Sequence, residues 1–316
     1  MDVLIVYPER ADAVTGNACS AEQWKEVLLA LGHKVELSSS CAGRHAGLLV
    51  ALNAEKMHPE IEAFSRNNPG SRIVVILTGT DIYPVASDLS LQSMRMADRL
   101  VALQGKAVQR IPDALHDKVQ VIVQGVKPSR RATTLEMDPG VFNVAVVANL
   151  RAVKDPFLAP AALNLLPARS RAYVRHAGFP LDCGSDDRAR EESAGNPRYE
   201  WLGGLNPAES RDLISQSDML LVTSRNEGAG RVIGEAITEG TPVIATRVDG
   251  ITGLVGDDYG GLFPVGDAAG LAALLTRVEN EDGFLGELFQ SCRKLTPLFA
   301  PEEEVQAWKK LIAGLP

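Results

Sequence analysis

The stretch SRNEGAGRVIGEAITEGTPVIAT, residues 224–246, decides how the chain is read. It follows an apolar run, MLLVT (219–223), and opens as a helix among three glycines, Gly228, Gly230 and Gly234. An apolar run, a glycine loop, a helix and a second apolar run, TPVIAT (241–246), together read as one turn of a parallel α/β sheet. Glycines at 228 and 230 let backbone N–H groups approach a phosphate, and the helix begun by Arg231 favours an anion at its N-terminus. The spacing Gly-x-Gly-x-x-x-Gly is looser than the Gly-x-Gly-x-x-Gly of dinucleotide sites. It also lies late in its domain, whereas that fingerprint belongs to the first strand–turn–helix. The two first turns, YPERADAVTGN (7–17) and ANLRAVKDP (148–156), do not carry it either, so a nicotinamide enzyme is not the reading.

Two carboxylates in the same stretch point elsewhere. Glu227 lies in the loop and Glu235 about one turn into the helix, so each can accept hydroxyl hydrogen bonds from a different part of one polyol ligand. Acidic residues in a first helical turn are also favourable with no ligand at all. The helix dipole contributes about 1–2 kcal/mol toward an anion. Departure of a sugar from a diphosphate needs barrier lowering on the order of 8 kcal/mol or more. Other cations are therefore required, and Arg151 and Lys154 stand where the first strand of the same domain ends.

Outward from this block, apolar runs alternate with helical patterns along all 316 residues. VLIVY (3–7), KVEL (34–37), LLVAL (48–52), RIVVIL (72–77), RLVAL (99–103) and VQVIV (119–123) read as strands of a first domain. VFNVAVVANL (141–150), RAYVRHA (171–177), YEWLG (199–203), MLLVTS (219–224) and TPVIAT (241–246) read as those of a second. Runs apolar on both faces suit parallel sheets covered by helices on each side. A helix is expected over AEQWKEVLLALG (21–32), with Gly32 as its cap, and KPSRRATTLEMDPG (127–140) reads as a linker. The expected organisation is α/β, with two Rossmann-like doubly wound domains facing a cleft. The two domains span 1–130 and 131–297, and the apolar stripe of a tail helix, 298–316, can return to the first domain.

Composition narrows the partners. A formal net charge of −8 with no basic tract argues against nucleic acid or an anionic membrane. Cys19, Cys41, Cys183 and Cys292 are too widely spaced for a Cys-x-x-Cys pair and read as free thiols. With no signal-peptide pattern and no membrane-length apolar run, a soluble cytoplasmic protein is expected. No Asp-x-Asp and no His/Cys cluster with ligand spacing occurs, so no metal and no cofactor are expected.

Two resemblances attach to these residues. EGAGRVIGEAITEGTPVIAT resembles the EGFGLVxLEAMAxGxPVVAS block of the retaining, family 4-like glycosyltransferases of the GT-B fold. That resemblance implies a nucleotide-sugar donor bound to the second domain, 131–297, and an acceptor held by the first, 1–130, with Glu227 on donor-sugar hydroxyls and Glu235 on ribose hydroxyls. Lys154 matches the diphosphate-binding lysine of the family's GRLxxxKG motif, while Asn149 replaces its arginine and leaves Arg151 to supply the charge. Gly228, Ala229, Gly230 and Arg231 then cradle the diphosphate. VTGNA (14–18) matches the family's glycine-bearing loop, through Gly16 and Asn17.

LLVALNAEKMHPEI (48–61), VVILTGTDIY (74–83), NLRAVKDPF (149–157), NPRYEWLGGL (196–205), DDYGGLFPVGD (257–267) and the tail resemble the selenosugar synthases of selenoneine biosynthesis. This implies transfer of N-acetylglucosamine or a related hexose from a UDP-sugar to selenophosphate, with a downstream enzyme of the same pathway as a partner. Asn53, where those enzymes tend to have histidine, and Arg231 depart from the pattern. Thr78, Gly79, Thr80 and Asp81 follow RIVVIL at its C-terminal end, where a small anion would be held, with Asn53 and His58 close in sequence to the preceding strand. Asp81 itself would repel an anion and suits capping or orientation. A conventional hydroxyl acceptor, a catalytically silent nucleotide-sugar binder, and a phosphorylase or epimerase remain open at this point.

Overall fold

A computed structural model describes residues 1–8, 15–129, 137–138 and 140–316. Val14 of the VTGNA loop and most of the 127–140 linker lie outside the described residues. Two compact units emerge: unit 1, Met1–Gly125 with Asn226–Ala229 and Ala300–Pro316, and unit 2, Val126–Arg225 with Gly230–Phe299. The expected domain boundary at 130/131 thus falls at 125/126 by contacts, and residues 226–229, expected in the donor domain, group with unit 1.

Unit 1 is built on β1 (Asp2–Val6), β2 (Lys34–Ser38), β3 (Leu48–Leu52), β4 (Arg72–Leu77), β5 (Arg99–Ala102) and β6 (Val119–Val121). They form one parallel sheet in the order β2-β1-β3-β4-β5-β6. Alternation along each central strand feeds two cores: Leu4, Val6, Leu49, Ala51, Val75 and Leu77 enter one, and Val3, Ile5, Leu48, Val50, Val74 and Ile76 the other. Side chains of a strand point alternately to opposite faces, which is why these runs are apolar throughout.

Helices α1 (Gly16–Ala30), α2 (His58–Asn67) and α3 (Asp88–Met96) connect these strands. α1 starts five residues before the expected Ala21 because Thr15 caps it, its Oγ1 accepting from Ala18 N at 3.3 Å. Gly16 and Asn17 are therefore the first turn of a helix and not a loop. The C-cap of α1 is Leu31, and Gly32, at φ +84°, sits one residue beyond it. A C-terminal helix, Pro301–Ala313, completes unit 1. Its buried Trp308 lies 5.9 Å from the ring of Trp24, and its Glu304 accepts from Trp24 Nε1 (2.8 Å) and Gln23 Nε2 (2.6 Å).

Unit 2 holds β7 (Phe142–Val147), β8 (Ala172–Ala177), β9 (Tyr199–Gly203), β10 (Met219–Val222), β11 (Val243–Thr246) and β12 (Leu262–Phe263). The order β12-β11-β10-β7-β8-β9, again parallel, runs outward both ways from β7. The first helices are α4 (Leu158–Leu163), α5 (Ser185–Gly195), α6 (Pro207–Gln216) and α7 (Arg231–Glu239). They are followed by α8 (Asp249–Val255), α9 (Ala268–Asn280) and α10 (Phe284–Leu295). Among the described residues no helix is long and apolar enough to cross a membrane.

Candidate functional site

In open parallel sheets, ligands bind beyond the C-terminal strand ends where the strand order reverses. In unit 2 that point lies between β7 and β10. The loop after β7 carries Asn149, Arg151 and Lys154, and the loop after β10 leads through the glycines into α7. The first loop is fastened on one side to the strand segment after β8: Ala148 N donates to Ala177 O (2.9 Å), Leu150 N to Phe179 O (2.9 Å) and Ala152 N to Asp182 Oδ2 (2.6 Å). On the other side Arg225 N donates to Val153 O (2.9 Å) and Thr223 Oγ1 to Lys154 O (2.8 Å). Arg225 also pairs with Asp155 at 2.7 Å, and Asp155 occupies the left-handed region at φ +47°. The two switch-point loops are thus one hydrogen-bonded piece.

Below this loop lies a buried His176. Its Nε2 bonds Ala148 O and its Nδ1 bonds Tyr199 Oη, both at 2.8 Å. Since the carbonyl can only accept, Nε2 carries the proton and Nδ1 accepts from the tyrosine hydroxyl. Burial holds the imidazole pKa down at about 4, against a smaller upward pull from the Ala148 carbonyl. Next to it a Cβ on Gly178 would overlap the Ala148 carbonyl oxygen, so only glycine lets the two segments meet.

Asn149 uses its side-chain Oδ1 to accept from Phe179 N at 2.9 Å. Where the resemblance places an arginine, this residue therefore braces the loop. Arg151 and Lys154 are both half-buried. Gly230, at φ +53°, caps α7, and Arg231 in its first turn pairs through Nε with Glu235 Oε1 at 2.9 Å. Glu235, read from sequence as a hydroxyl acceptor, is buried and already engaged by this guanidinium.

In unit 1 the candidates gather at the ends of β1, β3 and β4. Gly16 and Asn17 form the first turn of α1, and a Cβ at Gly16 would meet nothing within 4 Å. Asn53 follows β3 at φ +82° and donates from Nδ2 to Thr78 Oγ1 (2.9 Å) and Thr80 Oγ1 (3.0 Å). Asp81 is fully buried and accepts from Ala54 N (2.8 Å), Thr78 N (3.2 Å) and Gly79 N (2.8 Å). Its placement as an acceptor-binding residue is corrected by this geometry: the carboxylate faces backbone and shapes the loop. Burial pushes its pKa up, opposed by those N–H groups. His58, the first residue of α2, bonds Ser93 Oγ through Nδ1 at 2.9 Å.

The segment Asn226–Ala229, which carries Glu227, lies within unit 1. A Cβ at Gly79 would stand 2.7 Å from Gly228 N, and one at Gly228 would overlap Thr78 O. These two glycines permit a backbone-to-backbone approach. Ala229 packs against the core on one face of the sheet.

Thr223, Asp182 and His176 are not visible from sequence, because a lone threonine, aspartate or histidine carries no spacing signal. Among the described residues no group of three His, Cys, Asp or Glu side chains could hold a metal ion.

The architecture is that of the GT-B sugar transferases. A solved structure of HepE from Anabaena, in complex with UDP and glucose, matches over 100% of both chains with a TM-score of 0.77 at 17% identity. Residues 135–295 match the family model described as glycosyl transferases group 1. An N-acetyl-alpha-D-glucosaminyl L-malate synthase of Bacillus anthracis is 42% identical over 287 residues, 84% of this chain and 74% of that protein. The chain belongs to the group 1 glycosyltransferases. A D-inositol 3-phosphate glycosyltransferase of Nocardioides is 29% identical over 241 residues, 67% of this chain and 52% of that protein. The chain spans about half the length of the curated relatives of that name.

Proposed function

We propose that the protein transfers a hexosamine or hexose, in the first instance N-acetylglucosamine, from a UDP-sugar to selenophosphate. The observation that carries the transferase reading is the fastened pair of loops at the unit 2 switch point, with Arg151 and Lys154 on one and the start of α7 on the other. In this reading Lys154 and Arg151 neutralise the donor diphosphate, and the α7 N-terminus with Gly230 receives a phosphate through its N–H groups. Preorganised charge of this kind stabilises UDP as it departs. Glu227 holds the sugar hydroxyls, and Asn149 acts by bracing the loop.

The selenium lone pair forms the C1–Se bond while the C1–O bond to UDP breaks, its electrons passing to the diphosphate. Water then cleaves the P–Se bond, releasing phosphate and the 1-selenosugar. Selenophosphate is a strong nucleophile, so the step asks little of a general base, and no metal is required. Support for selenophosphate comes from the sequence resemblance and from the two threonine hydroxyls at the end of β4, which suit a small anion.

A second reading keeps the donor and replaces the acceptor with a hydroxyl-bearing anion. It is favoured by the relatives whose names carry L-malate and D-inositol 3-phosphate. The test is incubation with UDP-N-acetylglucosamine, with and without fresh selenophosphate, following UDP by chromatography and selenium by its isotope pattern. Selenophosphate-dependent UDP release with a selenium-bearing hexosamine is expected, undiminished by EDTA. UDP release with malate or inositol 3-phosphate, and none with selenophosphate, selects the second reading.

A further inference from the structure

Asn53 stands at the C-terminal end of β3 with φ +82°, a region that asparagine tolerates better than most residues. The two ends of its amide have different neighbours. Oδ1 accepts the N–H of Lys56 at 2.9 Å, and Nδ2 donates to Thr78 Oγ1 at 2.9 Å and Thr80 Oγ1 at 3.0 Å. A backbone N–H can only donate, so the Lys56 contact fixes which way the amide is turned. A hydroxyl that accepts from an amide keeps its own proton for a further acceptor. Thr78 is half-buried and Thr80 exposed, so two O–H donors are held together at the rim of the sheet. The nearby Asp81 does not compete for them through the contacts described, since its oxygens receive backbone N–H groups.

We propose that Asn53 is a positioning residue that sets Thr78 and Thr80 as a pair of hydrogen-bond donors, so that this end of unit 1 selects an acceptor substrate through an unprotonated oxyanion group. The inference rests on the transferase reading and names the recognition chemistry of its acceptor. Phosphate, selenophosphate and carboxylate share that chemistry.

Inorganic phosphate is the probe, titrated by calorimetry into the full chain with UDP present at saturation. Asn53→Gly suits the positive φ and adds no charge, but removes the amide. Asn53→Asp also tolerates the φ and keeps an acceptor for Lys56 N–H. It offers the threonines only acceptor atoms, so their protons turn inward. The expected loss of phosphate affinity is about threefold or more for Asn53→Gly and about tenfold or more for Asn53→Asp, the scale of one charge-assisted hydrogen bond. In a Thr78→Val/Thr80→Val background, both losses should shrink to roughly twofold or less, because residues acting through one another are not additive. Equal losses in the two backgrounds would show simple charge or folding effects and overturn the inference. So would phosphate binding unchanged by Asn53→Gly, or no phosphate binding by the parent protein. If the coupling is found but selenophosphate gives no transfer, the proposed reaction falls and this inference stands. If transfer occurs without the coupling, the reverse holds.

Discussion

The loop after β7 in unit 2 and the loop after β4 in unit 1 both leave the C-terminal end of a parallel strand, yet they are fastened differently. The unit 2 loop is tied mainly through its own backbone, to Ala177 O and Phe179 O on one side and to Arg225 N on the other. The unit 1 loop is shaped by two side chains, the carboxylate of Asp81 and the amide of Asn53. A loop held by backbone keeps its form through many substitutions, whereas one shaped by side chains changes its hydrogen-bonding polarity when one of them, the Asn53 amide, is replaced. The family match falls on residues 135–295, where the backbone-held loop lies. Under the proposed function, the backbone-held loop serves the donor and the side-chain-shaped loop sets the acceptor preference.

The largest effect expected is from Gly178→Ala. The added Cβ would overlap the Ala148 carbonyl and come within 2.9 Å of Asn149 Cα, so backbone must move. A stability loss of about 4 kcal/mol or more is expected in urea unfolding, at the upper end for single substitutions. A near-normal midpoint would mean that the unit 2 loop can shift away from Gly178 at little cost.

Lys154→Ala should leave the fold intact, by circular dichroism, while lowering kcat by about 100- to 1,000-fold, the usual cost of one preorganised charge partner. In unit 1, Asp81→Ala leaves three backbone N–H groups without their acceptor. A loss of about 3 kcal/mol is expected, since each buried unsatisfied group costs about 1–3 kcal/mol. If the loss is well under 1 kcal/mol, the unit 1 loop does not depend on that carboxylate.

His176 supplies a pH signature for unit 2. Burial holds its pKa at about 4 in the folded protein, against the ordinary 6.5 of an imidazole in the unfolded chain. The unfolded state therefore binds more protons between these values, and the histidine's contribution is full above pH 6.5 and lost as the pH falls through 4. Between pH 7 and pH 5 it should remove about 2 kcal/mol of stability. His176→Gln should reduce that slope, and an unchanged slope would assign it to other groups. The smallest effect is expected at Gly16→Ala, where the new Cβ has open space and the helix gains propensity: within about 1 kcal/mol in stability. A loss of UDP affinity in that variant, without loss of stability, would mark the first turn of α1 as a ligand contact.

Much of the sheet framework was legible because parallel strands buried on both faces appear as unbroken apolar runs. LLVAL (48–52), RIVVIL (72–77) and YEWLG (199–203) coincide with β3, β4 and β9 to the residue. The two-residue β12 is too short to show a strand pattern in sequence. The sequence pattern starts α1 late, at Ala21, because its first turn, GNACS, has no apolar stripe and is set by the Thr15 cap.

At the site, the glycine loop and the cations of 148–156 could be seen as local motifs. The roles of His176, Asp182 and Thr223 could not, since each acts on a segment far away in sequence. The pairing of Arg231 with Glu235 follows the four-residue spacing of a helix face, but sequence alone gives no means of weighing that pair against a ligand.

The proposed division of labour between the units is tested most directly by UDP affinity in two variants, measured by calorimetry against the parent chain. Lys154→Ala should weaken UDP binding by about tenfold or more, as expected for one charge-assisted contact to a phosphate. Asn53→Gly should leave it within about twofold, the small effect expected of a residue that does not touch the nucleotide. Equal losses in both variants, or none in Lys154→Ala, would contradict the account.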